Sequence, residues 1–176
     1  AKSNSWEIFG TEPNKAARKI ANEKGIKLER KTESFPDKRF DVISMWHVLE
    51  HIPNLEGQIK ELDRLLKKDG TLFIAVPNFK SYDAKHYKEF WAAYDVPRHI
   101  WHFSRKGIVK IFENFGFEIQ ETVPLKFDAY YVSLLSEKYK NGRSRFFKAL
   151  SIGLISNWNA KTTNEYSSHV YILKRK

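Results

Sequence analysis

Residues 40–76 leave this chain little architectural freedom. Phe40-Asp41-Val42-Ile43-Ser44-Met45 is a near-continuous apolar run after a Pro-Asp-Lys turn, which is how a strand buried on both faces by flanking helices reads. Asn54 to Lys68 follows with Leu55, Ile59, Leu62, Leu65 and Leu66 on one helical stripe, and after Asp69-Gly70 a second strand-like run covers Thr71 to Val76. Strand, helix and strand in succession form the unit from which α/β sheets are built.

The alternation extends to both sides. Trp6 to Phe9 reads as a short strand, Pro13 to Lys24 as a helix opened by a proline and stopped by Gly25, and Ile26 to Arg30 as a weak strand. An aromatic-rich loop from Pro77 to Phe103, a helix from Ser104 to Asn114 capped by Ser104, and a strand from Phe117 to Val123 continue the order. The rhythm then breaks, because residues 128–165 carry helical patterning before a last strand, Ser167 to Leu173. Five or six strands alternating with helices predict a mostly parallel α/β sheet, with the 128–165 segment inserted before the final strand. A length of 176 residues fits one domain.

Composition narrows the function classes. With 41% hydrophobic and 15% aromatic residues there is material for a packed core, and the absence of cysteine excludes disulfides, thiolate zinc sites and cysteine nucleophiles. The eight glycines are far apart, the nearest pair being Gly107 and Gly116, so no G-x-G-x-x-G or Walker-type loop can be built. No stretch of the ~18 apolar residues that a membrane span needs occurs, and Ala1 to Ser5 has no apolar run like that of a signal peptide. The cytoplasm is the default location. The net charge of +10 admits nucleic acid, yet the lysines are spread along the chain without an RNP motif, zinc finger or Gly-x-x-Gly loop, and no specific nucleic acid is expected.

Ligands in open α/β sheets bind at the carboxyl ends of strands, and two groups of residues fall there. Glu12 directly follows the first predicted strand, where an acidic side chain can accept hydrogen bonds from ribose hydroxyls; a solvated glutamate favoured by the helix dipole is the alternative. Trp46 and His47, followed by Glu50 and His51, leave the strand of residues 40–45 into the crevice, unless they are a packed aromatic and a capping histidine.

The run Phe-Asp-Val-Ile-x-Met-x-x-Val-Leu-Glu-His-Ile-Pro-Asn continues with Leu65-Leu66-Lys67-Lys68-Asp69-Gly70-Thr71-Leu72, Val76-Pro77-Asn78 and Asp95-Val96-Pro97-Arg98-His99-Ile100-Trp101-His102-Phe103-Ser104. In order and spacing these segments resemble class I S-adenosylmethionine-dependent methyltransferases, and within them the branch of the ubiquinone-type O-methyltransferases. The resemblance spans Trp6 to Val123. It implies a Rossmann-like, doubly wound, mostly parallel sheet with an antiparallel last strand, and S-adenosylmethionine as the cofactor. It also implies a first strand and glycine-rich loop ahead of Trp6 that this sequence does not contain. The expectation is therefore one N-terminally truncated methyltransferase domain, residues 1–176, from a longer parent, with 128–165 as a helical insertion. Carried over by position, Glu12 would hold the ribose, Trp46 and His47 would line the cofactor, and Glu50 and His51 match a Glu-His pair near cofactor and substrate.

Methyl transfer from a sulfonium is an in-line displacement, so positioning and exclusion of water matter most, and a base is needed only where the acceptor carries a proton. His51, His99 and His102 are the candidate bases. No cluster with metal-ligand spacing is visible, and no metal is expected. Tyr87, Trp91 and Tyr94, within the aromatic loop, would form the acceptor pocket, or else a satellite hydrophobic cluster. In the insertion, Phe146, Phe147, Leu150, Leu154 and Trp158 share a helical face that begins with basic residues, compatible with peripheral membrane contact through 143–158, or with packing on the sheet. The function expected is methylation, chiefly O-methylation, of a small-molecule or lipid acceptor, with a homo-oligomer admitted; a nucleic-acid methyltransferase and a non-catalytic scaffold domain are the alternatives.

Overall fold

The computed structural model describes residues 6–176. Four strands form one sheet: β1 (Phe40–Trp46), β2 (Leu66–Pro77), β3 (Phe117–Pro124) and β4 (Ser168–Arg175), in the order β1-β2-β4-β3. β1 runs parallel to β2, and β4 is antiparallel to both of its neighbours, so three strands share a direction and the last one opposes them. Register runs through the apolar positions: Met45 stands opposite Ile74, Ile74 opposite Tyr171, and Ile119 opposite Leu173.

Helices α1 (Lys15–Glu23), α2 (Leu55–Leu65), α3 (Tyr82–Tyr87), α4 (Arg105–Glu113), α5 (Asp128–Asn141) and α6 (Phe146–Thr163) connect and cover the strands. The helix starts follow side-chain caps: Asn14, Asn54, Ser81 and Ser104 each accept a backbone N–H of the first turn, replacing water at donors the helix cannot satisfy. Leu55, Ile59 and Leu62 of α2 and Ile108 and Phe112 of α4 pack with Leu72, Ile74, Tyr171 and Leu173 as the main core. A second cluster joins Tyr87 and Trp91 to Val132 of α5 and Ile152 of α6.

Four expectations change. Trp6 to Phe9 and Ile26 to Arg30 are not strands; their neighbourhood makes one parallel bridge, Thr11 with Glu29, through Glu12 N–H to Glu29 O at 3.0 Å and Glu29 N–H to Gly10 O at 2.9 Å. Neither segment has a place in the four-stranded sheet, so no ladder extends them. β1 is an edge rather than a doubly covered strand: only Met45 is buried, and Val42 is 37% exposed, because no described strand lies on its outer side. Helix α2 stops at Leu65, and β2 begins at once with Leu66, whose N–H still reaches Leu62 O. Finally, residues 77–103 are not a structureless loop, since they hold α3 and two 3-10 turns, Lys88–Phe90 and Ala92–Tyr94.

Candidate functional site

The carboxyl end of β1 gives the chain a sharp change of direction. His47 N–H still bonds Ala75 O at 3.0 Å, but its backbone is left-handed, φ +52°, a conformation that costs a non-glycine residue energy and is retained where surroundings impose it. Trp46, the last residue of β1, is 53% exposed, and a 3-10 turn, Leu49–His51, follows it. The loop of residues 98–101 is laced to this turn, with Ile100 N–H and Trp101 N–H donating to Glu50 O and the Trp101 indole N–H donating to Ile52 O at 2.8 Å.

This lacing brings four predicted residues together. The Glu50 side chain is wholly buried, and neither carboxylate oxygen has a hydrogen bond of good geometry among the described residues. Its nearest nitrogens are His47 Nδ1 at 3.4 Å and His99 Nε2 at 3.9 Å. His51 and His99 meet edge to face with centroids 4.6 Å apart. Each holds its Nδ1 against a backbone carbonyl, Arg98 O at 2.9 Å and Ala93 O at 2.8 Å. A carbonyl only accepts, so Nδ1 carries a proton in both rings, and in a neutral ring Nε2 would be the accepting nitrogen. Imidazole nitrogens and a buried carboxylate thus converge at the carboxyl end of β1.

Glu50, His51 and His99 each offer a ligand atom, all within 4.8 Å of one another, a set that suits a divalent cation held by one carboxylate and two imidazoles. No such cluster is legible from spacing, because His99 lies far along the chain from Glu50. The backbone carbonyls behind both rings are the kind of outer support that orients metal-binding histidines.

His47 completes the group and adds a residue that sequence reasoning missed. Its Nε2 is 3.2 Å from Asp128 at the start of α5, while Nδ1 faces Glu50. The Asp128 carboxylate first, and Glu50 second, raise the imidazole to about 9, against the desolvation that would lower it. His47 is therefore an imidazolium at neutral pH, bridging two carboxylates. The only advance signal for Asp128 was its position as the first residue of the predicted insertion.

Other expected site residues lie elsewhere. Tyr87 and Trp91 are 1% and 2% exposed and belong to the second core, where burial pushes the Tyr87 phenol up and the Trp91 indole donates to Asp83 at 2.7 Å. Tyr94 packs its ring against Trp91 and His102, and its carbonyl accepts from His102 Nε2 at 2.9 Å, which ties His102 down outside the Glu50 group. A shallow recess lined by Phe79, Trp91, His99, Trp101, His102 and Phe103 adjoins the cluster. The larger cavity, about 340 Å³, lies at the opposite end of β1 against Phe9, Phe40 and Lys67. Glu12 caps the entry to α1, accepting Asn14 N–H at 2.8 Å through Oε1, and its own carbonyl receives the Arg18 guanidinium.

Three strands sharing a direction with the last one opposed, joined by helices and with the polar cluster gathered at the carboxyl end of β1, form a Rossmann-like α/β domain. Residues 1–122 match the methyltransferase domain family, and the chain belongs to that family, among the class I S-adenosylmethionine-dependent methyltransferases. It is 35% identical over 78 residues to a ubiquinone biosynthesis O-methyltransferase of Actinobacillus pleuropneumoniae, covering 39% of this chain and 33% of that protein. An uncharacterised protein of Methanocaldococcus jannaschii is 30% identical over 113 residues, covering 62% of this chain and 55% of that one. The chain thus spans a third to about half the length of these relatives. In fold it is similar to a Thermotoga maritima S-adenosylmethionine-dependent methyltransferase, with a TM-score of 0.65 at 19% identity over 95% of this chain and 72% of that one. An Archaeoglobus fulgidus S-adenosylmethionine-dependent methyltransferase gives 0.61 at 20% identity over 99% and 78%.

Proposed function

We propose that this domain binds S-adenosylmethionine across the carboxyl ends of its strands and transfers the methyl group to an oxygen of a small or lipophilic acceptor. The observation that carries the reading is the Glu50–His51–His99 cluster beside the exposed Trp46, with two basic Nε2 atoms whose tautomers are fixed from behind. Glu12 is assigned the ribose and Trp46 and His47 the cofactor face. Bound there, S-adenosylmethionine would supply an electrophilic methyl group, and the domain's part would be to hold the acceptor oxygen in line with it and to exclude water. His99 or His51 takes the acceptor's proton on Nε2, with the buried Glu50 carboxylate favouring the imidazolium that forms. O-methylation is favoured because ubiquinone biosynthesis O-methyltransferases are among the relatives, and a hydroxyl acceptor would give these bases a proton to remove.

A second reading of the same cluster is favoured by the Glu50 oxygens that lack hydrogen bonds. Glu50, His51 and His99 would hold a divalent cation, whose charge would polarise the acceptor oxygen. Dependence on added zinc or manganese, abolished in Glu50→Gln, separates it from a base-only mechanism.

The test is calorimetric titration of the full chain with S-adenosylhomocysteine, with Glu12→Ala as control. Micromolar binding lost in the variant supports the cofactor assignment; absence of binding overturns cofactor binding by this chain, and failure of a longer parent to bind as well would favour a scaffold role. Steeply salt-dependent RNA binding would instead favour a nucleic-acid acceptor.

A further inference from the structure

Helix α6 is packed inside out. The residues it buries are mostly small, Ala149, Gly153, Ser156 and Ala160, with Ile152 the one large side chain among them. Gly153 lies so close to α5 that a Cβ there would stand 2.5 Å from the Tyr130 ring. The large apolar side chains point the other way, with Phe147 84%, Trp158 71% and Leu154 58% exposed, and Phe146 and Leu150 beside them. Asn157 donates to the Lys126 carbonyl at 2.9 Å, which sets the turn carrying the 86%-exposed Phe127 against the same helix. A contiguous apolar surface of this kind on a folded domain marks a place where something binds.

Charge indicates what binds. From Lys138 to Asn164 the chain holds six basic residues, Lys138, Lys140, Arg143, Arg145, Lys148 and Lys161, and no acidic one. Lys148 is paired with the buried Glu137 at 3.4 Å, and Lys161 lies 4.8 Å above the Trp158 ring, so the cationic character is carried chiefly by the α5–α6 turn. A second copy of this surface would bring like charge against like. We propose that α6 lies in the plane of an anionic lipid surface, its aromatic and leucine side chains in the boundary between headgroups and acyl chains and the Arg143–Arg145 turn among the headgroups. No described helix is long and apolar enough to cross a membrane, which agrees with contact from one side. This inference is independent of methyl transfer, although a lipid-borne acceptor would follow naturally from both.

Co-sedimentation of the full chain with phosphatidylcholine vesicles, with and without phosphatidylserine, tests it. Binding is expected only to the serine-containing vesicles, falling about tenfold between ~0.05 and ~0.5 M salt as the charges are screened. Phe147→Glu with Trp158→Glu should lower binding about tenfold with an unchanged thermal midpoint, and Arg143→Glu with Arg145→Glu should remove the preference for phosphatidylserine. No vesicle binding at low salt, or equal binding by the Phe147/Trp158 variant, overturns the proposal. So does a dimer in sedimentation equilibrium that the same variant dissolves, since the face would then join two copies.

Discussion

His47 stands between two carboxylates from different parts of the chain, and its charge state is the measurable consequence. Asp128 contributes most to holding it protonated, so Asp128→Asn should bring its titration from about 9 down towards the ordinary range of ~6.5, read by nitrogen-detected NMR. If His47 lines the cofactor, the same variant raises the KM for S-adenosylmethionine more than it lowers kcat. An unchanged His47 titration would refute the bridge. At this scale the sequence was informative about Trp46, His47, Glu50 and His51, because they follow one strand within a few residues. It was uninformative about Asp128 and about the choice among His51, His99 and His102, which depends on which ring nitrogens the backbone carbonyls occupy. Tyr87 and Trp91 show the converse: aromatic density in a loop reads alike for a pocket and for a core, and burial decided for the core.

At the scale of elements, β2, α2, α4 and β4 were legible because their apolar spacing coincides with what they bury. α5 and α6 were legible as helical but not in orientation, since the face of α6 that packs is the one with the small residues. Gly153 is the point of closest approach, and two effects oppose one another there. Alanine in a helix interior gains about 0.5–1 kcal/mol over glycine, whereas forcing a methyl group against Tyr130 costs about 1–3 kcal/mol. The steric term wins, and Gly153→Ala should lower the thermal midpoint. A rise would mean that α5 and α6 separate freely. The neighbouring Asp83 is wholly buried and accepts from Trp91 at 2.7 Å, Ser156 at 2.7 Å and Ser167 at 2.8 Å, pinning α3 to α6 and to the start of β4. Asp83→Asn turns an acceptor towards these donors into a donor and should cost about 2–3 kcal/mol in urea unfolding.

For the whole molecule, the balance of protonation between folded and unfolded chains sets the pH range in which it is stable. His169 on β4 is buried, its Nε2–H donates to Asn164 O at 3.1 Å, and desolvation, aided by the charge of Arg105, pushes it down to about 4. The unfolded chain therefore binds this proton first as pH falls, so the contribution of neutral His169 is complete above ~6.5 and is lost as pH falls towards 4, about 3 kcal/mol in all. His47 has the opposite sign: held up to about 9, it stabilises fully below ~6.5 and its contribution is lost as pH rises through 9, a smaller effect because its side chain is 39% exposed and solvent screens the pair. His169→Gln keeps a donor for Asn164 but has no proton to gain, so its urea stability should fall less than that of the parent between pH 7 and 4.5. Parallel losses in the two proteins would assign the acid sensitivity to the carboxylates instead. The alkaline limb should respond to Asp128→Asn and not to His169→Gln, which makes the two ends of the stability range separately testable on one molecule.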